Sequence, residues 1–74
     1  MGLINFRAGE RVPASGCSLH EQLEYSYVVA GLLTVTSGGA KKTASAGDLI
    51  SIPPGEEHFT EVQGDTSIVY LLVG

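Results

Sequence analysis

Apolar and polar residues alternate in short runs along most of this 74-residue chain. The run EYSYVVA at 24–30 is aromatic and β-branched, and LLTVTS continues the pattern at 32–37. Gly38-Gly39 is a two-residue hairpin signal, and AKKTASA at 40–46 supplies a return strand whose paired lysines suit an exposed edge. Turn signals recur about every 8–12 residues, which is typical of an all-β sandwich or barrel.

The second half of the chain repeats this rhythm of strand and turn. DLISI at 48–52 alternates and runs into Pro53-Pro54-Gly55. These three residues fit a type II turn, because proline presets φ at its second position and glycine accepts the positive φ at its third. HFTEVQ at 58–63 alternates again. The pattern therefore predicts a strand, a tight turn and a strand that begins at the only histidine of this region.

The final strand, TSIVYLLV at 66–73, is apolar on both faces. Gly64-Asp65 before it predicts a further two-residue hairpin. Alternation places Ile68, Tyr70 and Leu72 on one face and the intervening apolar residues on the other. One face can line a barrel, and the other must also leave water, so we expect a homodimer.

The length and the cysteine content agree with this expectation. A chain of 74 residues makes one domain, 1–74, and a core of that size seldom supplies more than about 3–5 kcal/mol. Cys17 is the only cysteine, so an internal disulfide is excluded and this thiol is interpreted as a small packing residue. A metal ion, a partner subunit or both must then add stability.

Charge and hydropathy together exclude two classes of partner. The formal net charge is −4, and Lys41-Lys42 is the longest basic run, so we expect no nucleic-acid partner. No apolar stretch is long enough to span a bilayer or to act as a signal peptide, so we expect no membrane partner. With a single free thiol, the chain is predicted to be cytoplasmic.

The segment before the first long strand has two readings. Ser18-Leu19-His20-Glu21 has the form of a helix capping box, and on a helix His20 and Glu24 would share a face. The β-rich run that follows, with Gly31, favours the non-helical alternative. The HEQLE sequence begins like an HExxH zinc motif, but Glu24 replaces the second histidine.

Three side chains in this chain form a candidate metal site. In a barrel, alternation allows His58 and Glu24 to project into the same lumen. His20 lies about 13 Å from Glu24 along a straight strand, so all three converge only if residues 20–24 bend at the barrel mouth. Two imidazoles and a carboxylate with open coordination positions suit Fe, Mn, Ni or Zn as divalent ions. A surface histidine beside Glu56-Glu57 is the alternative interpretation of His58.

At these residues the chain resembles the cupin superfamily. The second cupin motif has a glycine, five residues, a proline, one residue, a glycine, two residues, a histidine, three residues and an asparagine. Gly47, Pro53, Gly55 and His58 stand at the fixed positions, and Val62 replaces the final asparagine. The resemblance covers about residues 7–73 and implies a small cupin-type β-barrel or jelly roll of short antiparallel strands.

The first cupin motif is partly present. Glu24 and Gly31 have the six-residue gap of the motif. A three-residue gap before Glu24 places His20 at the second motif histidine and Ser18 at the first, whereas a four-residue gap would lose both histidines. Cupins bind metal through three histidines and a glutamate, so the resemblance implies His20, Glu24 and His58 as ligands, with Ser18 in place of the fourth.

The resemblance leaves several functions open. One is a metal-dependent enzyme acting on a small molecule, with Ser26, Thr60 and Tyr25 or Tyr27 orienting that substrate. Another is a metal-free binding or sensing barrel, in which His58 and Glu24 serve as hydrogen-bonding groups. The third is a stable β dimer with a packed interior. The acidic balance disfavours phosphorylated or carboxylated ligands, which require Arg or Lys, and the fold leaves the reaction type open.

Overall fold

Eight β-strands and no helix make up the computed structural model, which describes residues 1–74. No helical segment is therefore present that could cross a membrane. Every strand pair is antiparallel, which confirms the all-β fold class. The strands are β1 (Gly2–Phe6), β2 (Arg11–Val12), β3 (Leu23–Ala30), β4 (Leu32–Ser37), β5 (Ala40–Ser45), β6 (Leu49–Ile52), β7 (His58–Val62) and β8 (Thr66–Val73).

The strands form two four-stranded sheets. The first sheet has the order β1-β8-β3-β6, and the second has the order β2-β7-β4-β5. This arrangement is a jelly roll, as expected. The expected closed barrel needs correction, because no strand of one sheet is hydrogen-bonded along its length to a strand of the other. The lumen is the space between the two sheets.

Two predicted turns have different outcomes. The Gly38-Gly39 hairpin joins β4 and β5, and both glycines have positive φ (56° and 81°), as a type I′ turn requires. The hairpin predicted at Gly64-Asp65 is wrong, because β7 and β8 lie in different sheets and this link crosses between them. Both dipeptides are hairpin signals, but Gly64 lacks the positive φ of Gly38 and Gly39, and the pairing of β7 with β4 decides the topology.

The core lies on the inner faces of the two sheets. Val28 and Leu33 are its most buried large side chains, and they come from β3 and β4, which belong to different sheets. Gly31 makes the turn between these strands with a φ of 108°. The alternation that buries these residues also directs their neighbours outward.

The outer faces of the two sheets differ sharply. A row across all four strands of the second sheet is polar and consists of Arg11, Glu61, Thr34 and Thr43. The corresponding row across the first sheet is apolar and consists of Leu3, Val69, Tyr27 and Leu49. Leu3 and Leu49 are 65% and 63% exposed. The first sheet therefore presents an unpartnered apolar surface to solvent.

Candidate metal centre

His58 is the first residue of β7 and follows the Pro53-Pro54-Gly55 turn closely. Gly55 has the positive φ of 74° that the turn requires. Only 8% of His58 is exposed, and its side chain lines the lumen. The turn thus returns the chain into the second sheet with the imidazole pointing between the sheets.

The bend required to bring His20 towards Glu24 is present. Residues 19–22 lie outside any strand, and β3 begins at Leu23, so the helical alternative for this segment is wrong. Ser18 and His58 exchange two backbone hydrogen bonds of 2.8 and 3.0 Å. The Gly55 amide also donates to the His20 carbonyl at 2.9 Å. These bonds hold the segment carrying His20 against the turn that carries His58.

The three predicted metal ligands come together at the rim of the lumen. His20 Nε2 lies 3.1 Å from Glu24 Oε1, and the two imidazole rings are 5.0 Å apart at an angle of 73°. One donor atom from each of the three side chains lies within 4.8 Å of the others. Donors bonded to one ion at about 2.0–2.2 Å lie at most about 4.4 Å apart. The spacing of the three donor atoms is therefore close to the spacing of ligands that share one ion.

Hydrogen bonds to the backbone set the protonation of both imidazoles. His20 Nδ1 lies 2.8 Å from the Gln22 carbonyl, and His58 Nδ1 lies 3.1 Å from the Glu56 carbonyl. A carbonyl oxygen only accepts, so each Nδ1 carries a proton and each Nε2 is left as the metal-binding atom. Carbonyl partners of this kind usually orient metal-ligating histidines.

The contact between His20 and Glu24 is suited to a cation. His20 Nε2 lies 3.1 Å from Oε1 of Glu24. An imidazole nitrogen and a carboxylate oxygen at this distance share either a proton or a metal ion. The second oxygen of Glu24 accepts a 2.9 Å hydrogen bond from the Ser26 hydroxyl, which fixes the carboxylate. The residues present therefore fit a divalent ion.

The rim cluster borders a cavity of about 240 Å³ between the sheets. Of the predicted ligand contacts, Ser26 and Thr60 line this cavity. The prediction for Tyr25 needs correction, because Tyr25 is 37% exposed and absent from the lining. The reason is the period of two along β3: Glu24 and Ser26 face inward, so Tyr25 between them faces outward.

Tyr70 lines the cavity and was not among the predicted ligand contacts. The sequence carried the necessary signal, since alternation along the last strand groups it with Ile68 and Leu72, which also line the cavity. Ser18, at the position of the first motif histidine, likewise borders the cavity. The site therefore contains one hydroxyl where the resemblance implies a fourth ligand.

Two facing antiparallel sheets, a lumen and a histidine–carboxylate cluster at its rim define a jelly-roll domain with a potential metal centre. The family model described as a cupin domain matches residues 2–74, so the chain belongs to the cupin family. The predicted family is thereby confirmed.

Solved structures support the same fold. A predicted oxalate decarboxylase from Thermotoga maritima is 22% identical with a TM-score of 0.82, covering 96% of this chain and 62% of that chain. The EutQ protein of Clostridium difficile is 25% identical with a TM-score of 0.80, covering 97% of this chain and 53% of that one. A Streptococcus pyogenes protein of unknown function is 15% identical with a TM-score of 0.87, and the match covers 96% of this chain and 60% of that chain. The chain spans less than two thirds of each, and no curated protein matches it.

Proposed function

We propose that the protein holds one divalent transition ion, Fe, Mn, Ni or Zn, through His20, Glu24 and His58. In this proposal the ion binds or activates a small molecule that occupies the adjoining lumen. The observation that carries the proposal is the rim geometry: one ligand atom from each of the three side chains lies within 4.8 Å of the others, and Glu24 is the only carboxylate in the cavity lining. Such a set matches the nitrogen and oxygen donors that these ions accept.

Three protein ligands would leave coordination positions open for a small molecule, and all three residues line the cavity. The side chains of His20 and Glu24 are 22% and 21% exposed, so the rim is accessible from solvent. A bound ion would act there as a Lewis acid towards an oxygen of the small molecule. Ser26 would hold the carboxylate in orientation by its hydrogen bond to Oε2.

Metal analysis of the untagged protein tests this proposal. We expect about one transition ion per chain after dialysis against limiting metal, and a rise in the melting temperature when Fe, Mn, Ni or Zn is added to the metal-free protein. A protein that retains no ion and shows no shift in melting temperature with any of the four would contradict the proposal. That outcome would favour the second candidate, a metal-free module that binds a small molecule. Ser18, which lines the cavity, would then be a hydrogen-bonding group for that molecule.

We also propose that two copies of the chain pack through the outer face of the first sheet. The argument starts from the apolar row of Leu3, Val69, Tyr27 and Leu49, which crosses all four strands. The neighbouring row continues this surface with Tyr25 opposite Leu71. These rows carry no acidic or basic side chain, so two identical copies meet without repulsion between like charges. A surface of this composition normally marks an interface.

Light scattering at micromolar concentration tests the dimer. We expect twice the chain mass for the natural protein and the single chain mass for Tyr27→Glu, because this variant buries a carboxylate at the centre of the apolar face. Lys41→Glu is the matched control, because it introduces the same group on the polar outer face of the second sheet, opposite Thr36. A monomeric natural protein, or a dimer that Tyr27→Glu leaves intact, would contradict this interface.

A further inference from the structure

The charge of the lumen limits the ligands that it can accept. Sixteen residues line the cavity, ten of them hydrophobic, and Glu24 is the only one that is acidic or basic apart from the two histidines. The four Lys and Arg residues of the chain all lie outside this lining. Lys42 borders a neighbouring cavity that shares only apolar residues with the lumen. An anionic ligand therefore meets no basic side chain inside the lumen.

This composition sets a limit on the charge of a bound molecule. A divalent ion and the Glu24 carboxylate together carry one positive charge, because neutral imidazoles add none. A ligand that contributes one negative charge makes the loaded site neutral. A dianion leaves a net negative charge in a cavity with mainly apolar walls, where an uncompensated charge is costly. Without the ion, no Lys or Arg of the lining is present to attract an anion, and Glu24 is the only carboxylate there.

The strand register divides the lumen into three levels. At the rim lie Glu24 and His58. One step deeper lie Tyr70 and Ser26 of the first sheet and Thr60 of the second. The floor is apolar, because the next inward residues that line the cavity are Ile4, Ile68 and Leu33. Polarity therefore decreases from the rim to the floor.

Two hydroxyls at the middle level are available to a ligand. Ser26 already donates to Glu24, whereas Thr60 and Tyr70 make no side-chain hydrogen bond within the chain. Neither hydroxyl is fully buried, because the only buried side-chain polar atom without a partner belongs to Thr36, and both residues line the cavity. A ligand reaching below the rim thus meets free hydroxyls on facing sheets, one from each.

The volume limits the ligand to a single ring. An engineered apolar cavity of ~150 Å³ binds benzene, and sites for drug-sized molecules have about 300–1,000 Å³. The lumen has about 240 Å³, which lies between these two cases. Gly2 stands opposite Tyr70, whose ring occupies the space that a side chain at residue 2 would take, so the cavity is bounded on this side.

We infer that the lumen takes a single-ring, mainly apolar molecule that contributes at most one negative charge, with its oxygen donors at the rim and a hydrogen-bonding group at Thr60 and Tyr70. The inference deepens the proposed function and rests on it for the rim contact. The apolar edge of the ring packs against the floor. Dicarboxylates are disfavoured by charge, and a multi-ring compound would not fit wholly within about 240 Å³.

Calorimetry on the metal-loaded protein tests the inference with maltol and oxalate. Both bind metal through two oxygens, but maltol is one ring that gives up one proton, whereas oxalate is a dianion. We expect maltol to bind at least tenfold more tightly than oxalate. Thr60→Val and Tyr70→Phe should each weaken maltol binding about three- to tenfold. Ser67→Ala, which removes an outward hydroxyl bonded to Asn5, should have no effect.

A second pair of compounds tests the charge limit without any metal. Phenol and benzoate share a ring but differ in charge, and we expect the metal-free protein to show saturation-transfer NMR signals with phenol only. Oxalate binding as tightly as maltol, or benzoate binding as well as phenol, would overturn the inference even if one ion is bound per chain. Failure to bind metal would instead overturn the proposed function, and the phenol–benzoate comparison would still decide the charge limit.

Discussion

Replacing Gly31 by alanine is expected to unfold a large fraction of the protein at room temperature. Gly31 has a φ of 108°, where a non-glycine residue costs roughly 1–2 kcal/mol. Its added Cβ would overlap the Thr66 hydroxyl and the Asp65 carbonyl, and it would lie 2.6 Å from the Thr66 Cα. Overpacking of this kind typically costs a further ~1–3 kcal/mol. The sum approaches the ~3–5 kcal/mol that a core of this size supplies.

The overlap cannot be relieved by rotating a flexible side chain. Two of the three atoms involved belong to the backbone, and Thr66 is only 2% exposed. Thr66 Oγ1 also accepts a hydrogen bond from the Leu32 amide at 3.1 Å and lies 2.7 Å from the Gly64 carbonyl, to which it donates. A shift of Thr66 would break the contacts that join the start of β8 to the turn between β3 and β4.

Gly47→Ala is the matched control for this experiment. Gly47 has a similar φ of 94°, but no heavy atom lies within 4 Å of the position its Cβ would take. Urea unfolding followed by circular dichroism should therefore show a loss of roughly 1–2 kcal/mol for Gly47→Ala and a much larger loss for Gly31→Ala. Equal losses in the two variants would mean that the close approach at Gly31 does not limit stability.

The strands could be predicted from the sequence because their signals are local. Alternation predicted the bounds of β3 to β8 closely. The Gly38-Gly39 hairpin was predictable because glycine readily adopts the positive φ that both positions of the turn require. The link at Gly64-Asp65 is also a hairpin signal but connects two sheets. Which strands pair depends on contacts distant in sequence, such as β7 with β4, and local turn residues do not encode them.

The part of the candidate site that lies within strand β3 was predictable, because side chains alternate between the two faces of a strand. Alternation places Glu24 and Ser26 on one face, and the same rule assigns Tyr25 to the other, where the structure finds it. The approach of His20 to Glu24 was not predictable from alternation, because it needs a bend outside the strand. One backbone hydrogen bond, from the Gly55 amide to the His20 carbonyl, holds the bent segment, and it joins residues 35 positions apart.

Metal affinity is expected to fall when His20 or His58 is replaced and to rise in Ser18→His. His58→Ala removes one of three proposed ligands, so we expect a loss of at least ~100-fold, given that outer partners alone are typically worth about 10–100-fold. Ser18→His should raise the affinity by roughly tenfold or more, because it adds a fourth nitrogen donor beside His58. Both backbone bonds of Ser18 go to His58, so the new imidazole would start from the rim of the lumen.

Competition with a fluorescent chelator measures these affinities, and melting in EDTA separates binding from folding. His58 is buried, so its loss can also destabilise the fold; His20→Gln, at a side chain that is 22% exposed, is the second variant. If His20→Gln and His58→Ala melt normally yet bind metal as the natural protein does, the ion is held elsewhere. If both lose affinity but Ser18→His gains none, the rim binds metal without room for a fourth ligand. A gain at Ser18 together with losses at both histidines is the result expected when one ion contacts all three positions, because His20 and His58 lie in one cluster and Ser18 is bonded to His58.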